Sequence, residues 1–521
     1  MSEPNFTVKY SVEEYKNEIH RLVKSNESNF IIEENLYLLR WIYRIKKERG
    51  NRLEFLHPDF LSVIYSPMMR NHKLSRTDED IYEAVELWCN NRAEAEEKYG
   101  HISDWEVSSV TNMCQLFENK TTFNDDINHW DVSNVTDMSC MFSEAHAFNQ
   151  AIGNWDVSNV TNMDCMFSEA HAFNQAICNW NVSNVTDMNG MFSEAQAFNQ
   201  DIGDWDVSSV ADMSGMFEGA RSFNQPVGDW DVSNVTDMSS MFWDAHAFNQ
   251  AIGDLDVSNV TDMGGMFRDA RAFNQPIGDW DVYNVTNMKS MFCNSHAFNQ
   301  SIGDWDVSKV TDMSHMFSGA QVFNQPIGEW DVSKVTVMRS MFSNAHAFNQ
   351  SIGDWDVSNV TNMGSMFCFA HTFNQSIGDW DLSKVTYMNC MFGYAAAFNQ
   401  AIGEWNVSSV TEMVCMFFNA HVFNQPIGNW DVSNVTNMNC MFSNALYFNQ
   451  HIGKWNVSKV TDIHCMFSNA QSFNQPIGEW NVSKVTDMRG IFHNAHSFKQ
   501  DTTKFKRGMW RAWNVNGFVY I

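Results

Sequence analysis

Basic residues are in short supply in this chain. Lys and Arg number 33 against 62 Asp and Glu, a formal net charge of −29 over 521 residues. A surface of that sign repels nucleic acid and anionic membranes and favours basic partners or cations. No run of apolar residues is long enough to cross a bilayer, so membrane insertion is not expected. The opening segment M-S-E-P-N-F-T-V-K-Y has no basic start and no apolar stretch. An intracellular, cytoplasmic location is the expectation from that segment. The eleven cysteines are odd in number and form no C-x-x-C pair. That pattern points to reduced packing thiols and away from a disulfide framework or a zinc knuckle. Walker loops, G-x-G-x-x-G, G-x-S-x-G and H-E-x-x-H are all missing, so neither catalysis nor a cofactor is expected.

What is present is repetition. The stretch from Trp130 to Asn154 returns almost unchanged at Trp155 and keeps returning to Trp480. The Trp position steps by 25 residues from 105 to 480, sixteen copies, with Leu255 the one replacement. A fixed period without insertions is the mark of a solenoid, whose units are too small to bury a core alone and must stack. The expected fold is an α/β repeat solenoid of leucine-rich-repeat-like architecture, with short parallel strands and short helices in 25-residue coils over residues 104–498. Met, Phe and Trp supply its apolar content more than Leu, Ile and Val do.

Within a copy, Val135, Met138, Met141, Phe142 and Ala145 fall on one face of a short helix, with Ser133 as a candidate N-cap. Phe148 to Ile152 alternates like a short strand. Gly153-Asn154 makes the turn into Trp155, and Trp155 and Val157 point inward about Asp156. Proline recurs at 226, 276, 326, 426 and 476. It has no N–H for a ladder, so the strands must be short there.

Residues 1–103 do not repeat and read as an α-helical N-terminal region. Ser11 and Glu14 match a capping box, residues 30–47 carry helical spacing up to a stop at Gly50, and residues 78–98 form a last helix with Ile81, Val85, Leu87 and Trp88 apolar. A helix running into Trp105 would cover the first coil, as a solenoid end requires. Residues 499–521, rich in Trp, Phe and Tyr, are expected to cover the last coil.

The string V-T-D-M-x-x-M-F-x-x-A-x-x-F-N-Q-x-I-G-x-W-D-V-S resembles the repeat of the BspA-like leucine-rich-repeat surface protein family, also called DUF285 or the mycoplasma lipoprotein-associated repeat. The resemblance covers residues 104–498. It implies a leucine-rich-repeat solenoid, no known catalysis, and a structural or adhesive role on a cell or virion surface.

Several registers invite a chemical reading. Asp131, Asp156, Asp206, Asp231, Asp256 and Asp281 would stack and could bind calcium weakly. Asn181, Asn406, Asn456 and Asn481 fill the same place, which favours an Asx-type turn. His146, His171, His246, His296, His346, His371, His421 and His496 share another register with Gln196, Arg221, Gln321, Ala396 and Leu446. That mixture reads as an exposed polar edge, so no metal is assigned. Cys140, Cys165, Cys390, Cys415, Cys440 and Cys465 alternate with Gly190, Gly215, Ser240 and Ser340, a place for a small filler. The N-V-T and N-V-S sequons at Asn134, Asn159 and Asn181 read as capping residues. Sixteen like copies cannot converge different groups on one reacting atom. A non-catalytic scaffold for a protein partner is therefore expected. The partner would be read at the outward strand positions Asn149, Ala151, Asn174, Ala176, Asn199, Asp201, Asn224 and Pro226 and their equivalents.

Overall fold

The computed structural model describes residues 73–501. The helices expected at the capping box and over 30–47, the stop at Gly50, and the tail beyond 501 lie outside the described residues.

Five short elements lead into the repeats: strand β1, Ser75–Thr77; helix α1, Ile81–Asn90; helix α2, Arg92–Tyr99; a 3-10 turn, Ile102–Asp104; and strand β2, Glu106–Ser109. β1 pairs in parallel with β2, Ser75 opposite Glu106 and Thr77 opposite Ser109. The single helix expected over 78–98 is broken at Asn91, whose φ of −148° and ψ of 78° are not helical. α1 buries Ile81, Ala84, Val85 and Trp88, the i, i+3, i+4, i+7 stripe of an amphipathic helix. α2 ends at Gly100, where φ is +79° and an added Cβ would lie 2.5 Å from Leu74 Cδ2. Trp88 packs edge-on to Trp105 at 6.2 Å and donates its indole N–H to Asp125 at 3.0 Å. Arg92 also bonds Asp125, Lys120 pairs with Glu86, and Asp78 accepts from the Thr111 N–H at 2.8 Å.

From Trp105 to Asp501 the chain is a repeat solenoid with one continuous apolar interior. Taking 130–154 as the type coil, Trp130, Val132, Val135, Met138, Met141, Phe142, Ala145, Phe148 and Ile152 are all buried, and buried equivalents recur along the array, apart from half-buried Lys120 in the first coil and Phe492 and Phe498 in the last. Trp, Val, Met, Phe and Ile thus point inward as the periodicity required. Equivalent rings stack from coil to coil: Phe192 on Phe217 at 5.7 Å, Trp305 on Trp330 at 6.5 Å and 3°.

The short helix is a point of correction. No helix occurs in the repeats among the described residues. The segment 138–145 is a run of overlapping four-residue turns: Met141 N–H donates to Met138 O at 3.1 Å, Ser143 to Cys140 at 3.0 Å and Ala145 to Phe142 at 3.0 Å. The N–H groups between them go to the next coil, Met138 to Asn162 O, Cys140 to Asp164 O, Phe142 to Met166 O and Glu144 to Ser168 O. A helix would close all these bonds on itself and leave none to tie coils together. Consecutive turns share its i, i+3 spacing, which is why the pattern read as helical. Cys140 (φ 53°) and Glu144 (φ 56°) take the left-handed conformation at the third place of their turns.

The strand expected over 148–152 is also corrected. Parallel bridges occur one per coil, and they fall at Asn112, Asp137, Asn162, Asp187 and onward to Asp487, not at Phe148–Ile152. The 148–152 segment is joined to its neighbours by side chains instead.

Candidate binding face

On that segment Asn149 N–H donates to Asn124 Oδ1 at 2.9 Å. Gln150 Nε2 reaches Asn124 O at 3.0 Å and Asn124 Oδ1 at 3.1 Å. The same unit repeats along the array to Gln500. Each Asn side chain thus replaces the carbonyl that a strand partner would offer, and proline two residues on costs the ladder nothing. Asn149, Asn174, Asn199 and Asn224 are half-buried, and their Oδ1 atoms accept from the following coil. These four expected contact residues are placed in the structural ladder. Ala151, Ala176, Asp201 and Pro226 stand exposed beside it; Asp201 Oδ1 caps the N–H of Gly203 at 3.1 Å.

Three residues beyond that exposed register lies a row the periodicity alone did not single out. Asp204, Asp229, Asp254, Asp279, Asp304, Glu329, Asp354, Asp379 and Glu404 are exposed in nine successive coils. Two residues further, Asp206, Asp231, Asp256, Asp281, Asp306, Asp331, Asp356 and Asp381 make a second exposed row. The second row continues the register of Asp131 and Asp156, whose sequence pattern suits either a turn or a weak calcium ligand. Asp231 Oδ1 accepts from Ser233 N at 3.1 Å and from its Oγ at 2.6 Å. These bonds, the hydroxyl first, hold the Asp231 carboxyl below its ordinary range. Asn181 makes the same pair of bonds to Ser183. The turn is therefore what the register requires, and an amide serves it as well as a carboxylate.

The expected face ends in a groove. A cavity of about 910 Å³ runs over the last coils, lined by Pro426, Gln450, His451, Lys454, Pro476 and their neighbours. Pro426, His451 and Pro476 are equivalents of Ala151, so the groove lies on the exposed register.

The cysteine register has a physical reason beyond small size. Its residues are left-handed, Cys165 at φ 52° and Gly190 at φ 54°. A Cβ on Gly190 would sit 3.0 Å from Cys165 Sγ. All eleven cysteines are free thiols; burial pushes the Cys140 thiol up to about 11.

Among the described residues no helix is long and apolar enough to cross a membrane. The family described as "Mycoplasma protein of unknown function, DUF285" matches in overlapping segments, residues 89–198, 171–280, 223–329, 265–378, 320–425, 347–448 and 415–512. Among solved structures, a leucine rich cell surface protein of Faecalibacterium prausnitzii is similar at 13% identity, over 60% of this chain and 86% of that one, with a TM-score of 0.31. An internalin of Listeria monocytogenes is similar at 8% identity, over 83% of this chain and 96% of that one, with a TM-score of 0.19. No curated protein matches the chain. The family segments follow one another without a gap from residue 89 to residue 512, and the chain belongs to the DUF285 family.

Proposed function

We propose that this protein is a non-catalytic scaffold that binds a protein partner along the exposed edge of the Asn–Gln ladder. The observation that carries the reading is the contrast within one face. The ladder residues repeat from coil to coil, while the exposed neighbours change, Ala151, Ala176, Asp201, Pro226, Ser301 and His451 among them. A fixed frame with variable exposed positions is how a repeat protein presents a specific surface. The two carboxylate rows beside it favour a partner with Lys and Arg in an extended segment. Residues 74–103 serve this reading as a cover for the first coil, through Trp88 on Trp105.

The test is binding by the full chain at rising salt. Replacing Asp204, Asp229, Asp254 and Asp279 together by Asn should weaken capture of the partner and flatten its salt dependence, because exposed charges act within a Debye length of about 8 Å at physiological ionic strength. Asn already occupies that register at Asn154 and Asn179, so the fold is expected to persist. Capture that ignores both salt and these four changes would move the function away from this face. Protease added to intact cells or virions distinguishes the structural or adhesive surface role from an intracellular scaffold: cleavage of the chain supports the first, protection the second.

A further inference from the structure

Two histidine pairs occupy neighbouring coils, and they differ in one respect. His146 stacks on His171 at 4.5 Å and 16°, and His346 on His371 at 4.6 Å and 7°. Beside the first pair stands Glu169, whose Oε2 is 3.9 Å from His146 Nε2. One ligand atom from each of His146, Glu169 and His171 lies within 4.8 Å of the other two. The Nε2 of His146 is shut off from solvent and has no hydrogen-bond partner. A buried ring nitrogen facing a carboxylate and a second imidazole has a use for a cation. Beside the second pair the equivalent of Glu169 is Phe369, and the His346 ring faces the Phe369 carbonyl at 3.0 Å. That pair has no carboxylate and serves as an internal control.

We propose that His146, Glu169 and His171 form a binding site for a divalent metal ion of the zinc class, bridging the coils that begin at Trp130 and Trp155. Two imidazole nitrogens and one carboxylate oxygen are the donor set that zinc accepts, with a fourth position open to water. Tetrahedral ligands about 2.0 Å from zinc stand about 3.3 Å apart, so the cluster closes by small side-chain rotations. The backbone holds the donors ready: Glu169 N–H donates to Ser193 O at 2.7 Å, and His171 N–H to Glu169 O at 2.8 Å. The site ends with the next coil, where Gln196 takes the histidine place. In sequence the histidines alone read as a polar edge. The signal missed was the Glu two places before His171, a combination the other adjacent pair lacks.

Zinc binding to the full chain, stripped with chelator and titrated calorimetrically with ZnCl2, tests the site. His171→Gln and Glu169→Asn should each weaken zinc by at least about tenfold. His371→Gln should leave it unchanged. Gln196 and Asn344 occupy the equivalent places naturally, so both variants retain residues the coil already tolerates. Zinc should also raise the melting temperature of the parent and not of His171→Gln. A second cluster, Cys140, Asp164 and Cys165, lies between the same two coils. Cobalt substitution separates the two, because a thiolate ligand gives an intense near-ultraviolet charge-transfer band and the proposed site does not. Unchanged zinc affinity in His171→Gln, or a thiolate band that disappears in Cys140→Ser, would overturn the proposal.

Discussion

Each core tryptophan does two things at the residue scale. Its ring fills the coil, and from Trp130 onward its indole N–H donates to the carbonyl of the Ile 28 residues earlier, as Trp330 does to Ile302 O at 3.1 Å; Trp105, in the first coil, donates to Gly100 O instead. A buried donor left without that acceptor would cost about 1–3 kcal/mol. Leu255 has no side-chain N–H, and the carbonyl that an indole there would have met belongs to Val227, the one Val in the Ile register. Both departures therefore fall at one contact. Hydrogen exchange should be faster in the coil beginning at Leu255 than in the coil beginning at Trp305. Trp330→Leu should cost about 3 kcal/mol and Leu255→Trp should stabilise, both read by chemical denaturation. The inward set of residues was legible because burial follows chemistry position by position. The left-handed register of Cys140 was legible only as small, since Gly, Ser and Cys also suit a tight core. A charge effect belongs at this scale too. Burial first, and the charges of Asp164 and Asp212 after it, raise the Asp187 carboxyl above its ordinary 3.8. The folded chain holds that proton more tightly than the unfolded chain, so the group costs stability as pH rises from 3.8 through the raised value. Asp187→Asn keeps the acceptor that Asn189 N–H uses at 3.0 Å. The variant should be more stable than the parent at neutral pH and indistinguishable from it below pH 3.8.

At the scale of the element, hydrophobic spacing identified which residues face inward and misidentified what the backbone does between them. Val135, Met138, Met141, Phe142 and Ala145 have a spacing common to a helix and to a chain of turns. The two differ in where alternate N–H groups go, and that depends on a neighbouring coil no local window contains. The strand reading of 148–152 failed for a related reason. Its alternation is genuine, with Phe148 and Ile152 buried, but an amide side chain, not a backbone carbonyl, receives the Asn149 N–H. This makes the Asn register a structural requirement that can be measured. Asn299 Oδ1 accepts the Asn324 N–H at 2.9 Å and Gln325 Nε2 at 3.1 Å. Asn299→Ala should lose about 1–3 kcal/mol, because the half-buried Asn324 N–H loses its acceptor while Gln325 Nε2 keeps only the Asn299 main-chain carbonyl at 2.9 Å. Asn299→Asp, which keeps an acceptor oxygen, should lose less. Equal losses in the two variants, measured by urea denaturation, would show that the ladder stabilises through packing and not through these bonds.

For the array as a whole, every bond between coils joins residues 23 to 28 apart in sequence, such as Met313 N–H to Val337 O and Trp330 Nε1 to Ile302 O. Each coil is thus bonded to its neighbours, so stability is a sum of coil and interface terms. The sequence made this scale the most legible of the three, because a period needs no knowledge of backbone geometry. The exposed register of Ala151 is legible in the alternation, while the ladder role of the Asn places is not, because their hydrogen-bond partners lie a full coil away. The period also dictates how the chain should respond to shortening. Removing residues 305–329 brings Trp330 onto the coil that ends at Asp304, where it meets the ring and carbonyl partners Trp305 had. The shortened chain should fold, stack its remaining rings and melt close to the parent. Removing only 305–316 instead puts Phe317 where Trp305 stood and throws every later residue out of register, so that Asp and Asn enter the core and Trp leaves it. That chain should lose its cooperative melting transition and expose apolar surface to a hydrophobic dye. Were the two deletions to melt alike, stacking of identical 25-residue coils could not be what holds the molecule together.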